Sequence, residues 1–115
     1  MEIKIITDKI TLDEVRQMAS ESYGDMVKAV VDIELAVLGI GGEWHADAES
    51  LLLENGSKQE NLWGINIYPD KNLNEMVAFV SLINIRPRKN NRGMEIQDAS
   101  IRKQISEIVN KLIIL

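Results

Sequence analysis

A chain of 115 residues, 45% apolar and 27% charged, has the composition of one folded domain, 1–115, with one core, not of a disordered tail or a two-lobed enzyme. The absence of cysteine excludes disulfides, thiol catalysis and Cys-based metal sites, and a lone histidine excludes centres built on several imidazoles. A formal charge of −5 argues against general nucleic-acid or anionic-membrane binding, which requires a basic surface.

Ile3 and Ile5 alternate with Glu2 and Lys4 over too few residues to stand alone and read as a short edge strand. Thr11 followed by Glu14 is a capping-box pattern, and Leu12, Val15, Met18 and Ala19 fall on one face of a helix expected over 12–22, stopped by Tyr23-Gly24-Asp25. From Val27 to Ile40 the period changes to two, predicting a long strand with one apolar face. Gly41-Gly42 suits a two-residue type I′ hairpin turn, and Asn55-Gly56 is a second turn signal. The segment between them, Ala46 to Leu53, has helix-forming composition. Two hairpins, however, would place Val37 opposite Ala46, Val31 opposite Leu52 and Trp44 opposite Ile67, which is one continuous apolar face. That register predicts strands over 27–40, 43–54, 59–68 and 78–86, with Trp44 and Trp63 both in the core. Pro69 and Pro87 each close an Ile-Asn-Ile-x-Pro segment and end the third and fourth strands. Asp98 is the expected N-cap of a C-terminal helix whose Ile101, Ile105, Ile108, Val109 and Leu112 share a face. The fold class expected is therefore a two-layer α+β domain. It has a four-stranded antiparallel meander, to which the N-terminal segment can add a short edge strand, and two helices packed on one face.

The same register sends Glu34, Glu43, His45, Asp47, Glu49, Asn66, Tyr68, Asn84 and Arg86 to the opposite face, where acidic residues confront one another. His45, Asp47 and Glu49 alternating along a strand, with Glu34 across from them, form a candidate metal-ligand set. Spacings of about 6.5 to 7 Å along a strand fit one ion poorly. A catalytic reading casts His45 as general base, Asp47 or Glu34 as its orienting group and Arg86 as an anion stabiliser. The bland reading of all these groups is a solvated sheet face. No nucleophile elbow, phosphate-binding loop, dinucleotide fingerprint or EF-hand loop is present, and no cofactor is expected.

Charge is also unevenly spread along the chain. Residues 1–60 carry 5 Lys/Arg against 13 Asp/Glu, and residues 61–115 carry 8 against 5. Arg86, Arg88, Lys89 and Arg92 lie among Pro87, Asn90, Asn91 and Gly93, which reads either as a solvated connection or as an anion-binding loop. No apolar run approaches the roughly 18 residues needed to span a bilayer, and Met1-Glu2-Ile3-Lys4 opens no signal-like pattern. The expectation is a soluble, cytoplasmic protein.

The runs Gly41-Gly42-Glu43-Trp44-His45-Ala46-Asp47-Ala48-Glu49, Leu51 to Glu60, Leu62 to Pro69 and Ile83-Asn84-Ile85-Arg86-Pro87 resemble a family of short bacterial and archaeal proteins catalogued only as a domain of unknown function. That resemblance covers essentially the whole chain and implies no activity. The leading functional expectation is a non-enzymatic binding or assembly module. Its polar sheet face and 86–92 loop, through Glu34, His45, Asp47, Asn66, Tyr68, Asn84, Arg86, Arg88 and Arg92, would engage a small anionic ligand, a protein partner or a second copy in a homodimer. The alternative is a small metal-assisted hydrolase centred on Glu34, His45, Asp47 and Glu49.

Overall fold

The computed structural model describes residues 2–115. Strand β1 (Ile3–Ile6) and the two-residue β2 (Ile10–Thr11) lead into helix α1 (Leu12–Glu21). Thr11 caps α1, accepting at Oγ1 from the Glu14 amide and donating to the Glu14 carboxylate, each at 3.1 Å. Strands β3 (Val27–Asp32) and β4 (Val37–Gly41) form a hairpin, and helix α2 (His45–Glu54) carries the chain to β5 (Leu62–Ile67). The short β6 (Val77–Ala78), helix α3 (Ala99–Leu112) and β7 (Ile113–Ile114) complete the order.

The fold is α+β: three helices and a five-stranded sheet ordered β1-β4-β3-β5-β6, every neighbouring pair antiparallel as in a meander. The N-terminal edge strand and the two helices on one face are as expected. Val27, Ala29 and Val31 of β3 and Trp63, Ile65 and Ile67 of β5 pack with apolar residues of α1 and α3 in the larger core. Asp98 caps α3, its Oδ1 accepting from the Ser100 and Ile101 amides.

Two stretches depart from the expected register. Residues 27–40 do not run as one strand: the chain reverses between Asp32 and Val37, with Ala36 at φ 57°. Asp32, fully buried, holds this turn by accepting at Oδ1 from the Glu34 and Leu35 amides, while Oδ2 accepts from the Ser57 hydroxyl at 2.6 Å. Gly41 and Gly42, at φ 108° and 89°, take the positive φ expected of them but turn the chain into α2 instead of a hairpin. Residues 45–54 are therefore helical, and Ala48 and Leu52, four apart, bury against Val30 and Leu62 in a second, smaller cluster. The sheet is covered on both faces, in place of the solvated face expected. Trp63 is buried as expected, but Trp44, at the N-cap of α2, is 58% exposed.

The segment expected as a strand over 78–86 pairs with β5 only at Val77–Ala78, makes single bridges at Val80 and Arg86, and coils into a 3-10 turn over Leu82–Asn84. Beyond β6, the buried Asn84 side chain continues the ladder: Oδ1 accepts from the Gly64 amide at 2.8 Å and Nδ2 donates to the Gly64 carbonyl at 2.9 Å. This approach requires glycine, since a Cβ at Gly64 would lie 2.5 Å from that of Ser81.

Candidate functional site

The helical course of residues 45–54 disperses the acidic and imidazole groups that a strand would have lined up. His45 opens α2 and is only 8% exposed; its Nε2 lies 2.7 Å from the Ile65 carbonyl oxygen. A carbonyl only accepts, so Nε2 carries the proton and the neutral ring keeps Nδ1 as an acceptor. Burial pushes the imidazole pKa below its ordinary 6.5; the Ile65 bond opposes this, Lys28 adds to it, and Asn66 weakly favours the cation. Asp47 is exposed and caps its own helix, accepting from the Trp44 amide at 3.2 Å. Glu34, exposed in the β3–β4 turn, accepts from Asn61 Nδ2 at 2.6 Å. Glu49 turns to Arg86, with 3.4 Å between Oε2 and Nη2. Among the described residues no three acidic or histidine side chains are grouped to hold a metal ion, so the arrangement a metal-assisted hydrolase would need is not formed. The same dispersal removes the catalytic set of His45, Asp47 or Glu34, and Arg86.

Asn84 does not point to solvent. Besides bridging Gly64 it donates to the Met94 carbonyl, and its own carbonyl accepts from Asn91 Nδ2 at 2.7 Å. Asn91 Nδ2 also reaches the Gly93 and Glu95 carbonyls, and its Oδ1 accepts from the Gln97 amide. These two buried amides staple the loop between β6 and α3, and Arg86 and Asn91 exchange backbone hydrogen bonds at its neck. The 86–92 loop is thus a closed turn on a fixed base, with Pro87–Lys89 in 3-10 conformation and Asn90 left-handed.

That base brings the cations to a cleft of about 650 Å³, bordered by Arg86, Arg88 and Lys89, by the carboxylates of Glu49 and Glu60, and by the apolar Leu82, Ile83 and Ile85. Arg86 is its deepest charge. The side chain is 13% exposed, its guanidinium centred 5.0 Å from the Trp63 ring, and Nη1 is buried with no hydrogen-bond partner. Burial works against the charge and Glu49 supports it. Arg88 and Lys89 are exposed and make no ion pair among the described residues. Arg92 is exposed and does not border the cleft. Tyr68 is half-buried just beyond β5, its ring 4.3 Å from Lys71 Nζ, away from the basic loop. Asn66 shares a different recess with His45. Of the nine predicted ligand contacts, Arg86 and Arg88 therefore meet at this cleft, and His45 and Asn66 meet at another place.

A family model described as a protein of unknown function, DUF5674, matches residues 4–112. The chain belongs to the DUF5674 family. No curated protein and no solved structure matches it. Membership in DUF5674 brings no assigned activity, so the chemistry of this site has to be argued from its own atoms. No helix among the described residues is long and apolar enough to cross a membrane.

Proposed function

We propose that the protein is a non-enzymatic binding module that takes a small anion, such as a phosphate or carboxylate group on an organic body, in the Arg86–Lys89 cleft. The observation that carries this reading is Arg86. A guanidinium has five donors, and here one whole Nη is buried without an acceptor while another reaches Glu49 only at 3.4 Å. A buried donor left unmade costs about 1 to 3 kcal/mol, more when charged, and an anion that draws the guanidinium toward the cleft would supply the missing acceptor. Arg88 and Lys89 stand at the rim in no ion pair among the described residues and, with Arg86, outnumber the two carboxylates of the cleft, Glu49 and Glu60, which leaves a net attraction for an anion. Leu82 and Ile85, 68% and 42% exposed beside these cations, suit an apolar body attached to the charged group.

Amide NMR titration with inorganic phosphate and with citrate tests the proposal. Saturable shifts are expected in residues 85–89 and Glu49, weakening as sodium chloride is raised. The double substitution Arg88→Ala, Lys89→Ala, both exposed, should raise the dissociation constant about tenfold, the effect of losing one or two charge-assisted contacts, with the melting temperature nearly unchanged. Shifts absent from this loop, or equal in the double variant, overturn the reading.

A further inference from the structure

On the other side of the Leu82–Asn84 turn lies a second recess of about 460 Å³, bounded by Trp44, His45, Asn66, Leu82, Ile83 and Met94 among others. We infer that this recess is a binding slot for a small, flat, uncharged heteroaromatic or aromatic amide that donates N–H hydrogen bonds. The inference stands apart from the anion cleft, which it touches only through Leu82 and Ile83.

The size is that of a ligand pocket, and its walls are mostly apolar while a few polar atoms sit at one end. Three large apolar side chains stay in solvent around it, Trp44 at 58%, Leu82 at 68% and Met94 at 42% exposed, contributed by three separate segments. An indole face among aliphatic and thioether groups favours a flat, polarizable partner.

The polar atoms choose its charge and its hydrogen bonding. Asn66 Oδ1 is buried with no hydrogen-bond partner. His45 has committed its one N–H to Ile65, so the ring offers only an acceptor nitrogen. Two acceptors call for a donor, which a carboxylate lacks, and Lys28, the one cation among the described residues bordering the recess, is engaged over the Tyr23 and Trp44 rings. A cation is disfavoured as well, because Lys28, paired with Asn66 across β3 and β5, holds its ammonium 5.2 Å from the centroids of both Tyr23 and Trp44. The aromatic faces that would attract a foreign ammonium are already occupied by one belonging to the chain. What remains is a neutral molecule with N–H groups.

Titrating the full chain with benzamide, adenine, N,N-dimethylbenzamide and benzylamine, read on the Trp44 indole and the Ile83 and Asn66 amides, tests this. Benzamide and adenine should bind, N,N-dimethylbenzamide, of similar shape without the donor, at least fivefold more weakly, and benzylamine not at all. Asn66→Leu should erase the preference for benzamide over its dimethyl form. Met94→Trp, at an exposed position, should block every probe and leave the phosphate titration of residues 85–89 unchanged. Equal affinity for the two amides in the wild type, tightest binding by benzylamine, or no saturable shift with any probe overturns the inference. So does a sedimentation mass that rises with concentration and falls to one chain in Trp44→Ser, since a second copy would then own the slot.

Discussion

His45 shows how far a side chain's neighbourhood can lie from what its immediate sequence suggests. Between Trp44 and Ala46, amid acidic residues, an imidazole reads as solvated; in the structure it sits at a helix start with its N–H on a carbonyl twenty residues away. The consequence is a pH dependence with a definite sign. The folded pKa lies below 6.5, so from pH 6.5 downward the unfolded chain binds a proton that the folded chain refuses. Stability from this group is full above about pH 6.5 and drains away as pH falls through the folded value. Urea midpoints at pH 7.5 and 5.5 should differ more for the wild type than for His45→Gln, which keeps an N–H but cannot titrate; equal differences would contradict the burial of a neutral ring. The caps at Thr11 and Asp98 were legible because donor and acceptor lie within three residues. The roles of Asn84 and Arg86 were not, because their partners, Gly64 and Glu49, are 20 and 37 residues distant.

At the level of elements, α1, β5 and α3 follow local rules and were readable from periodicity and capping. Helix α2 was not, although Ala46 to Leu53 has the composition for it. The strand reading leaned on two glycine turns giving one apolar face, yet Ala48 and Leu52 lie on one face of a helix just as they lie on one face of a strand. What decided the matter is the hairpin at Asp32–Val37, which contains no glycine or proline and whose holding bonds come from a buried Asp32 and from Ser57. Once β4 pairs back on β3, no strand remains for residues 45–54 to lie beside, and Val30 and Leu62 need a cover. Leu52→Ala removes the largest contribution of α2 to that cover. It should cost about 2 to 4 kcal/mol in urea unfolding, as for other leucines truncated in cores. A loss below 1 kcal/mol would mean that α2 is not anchored on this face.

For the whole molecule, the α+β class, the antiparallel sheet and the pair of helices on one side could be argued from patterning alone, whereas the covering of the second side could not. The two sides differ in strength: a broad cluster joins α1, α3 and five strands, while the second gathers only four fully buried residues. Native-state hydrogen exchange should therefore find α2 amides opening at lower free energy than those of β3, β5 and α3, and protection of α2 equal to theirs would refute the ranking. Both candidate sites border this lighter side, one on each flank of the Leu82–Asn84 turn, so a molecule bound at either place would steady the part of the structure with least to hold it. The amide of Asn84 has a further effect. Where β6 stops, the outer rim of β5 would present a bare peptide group to any passing chain, an invitation to strand addition and fibre growth. Filling that vacancy with a side chain ends the sheet chemically as well as sterically, and leaves no open peptide group at Gly64 for another strand to take up.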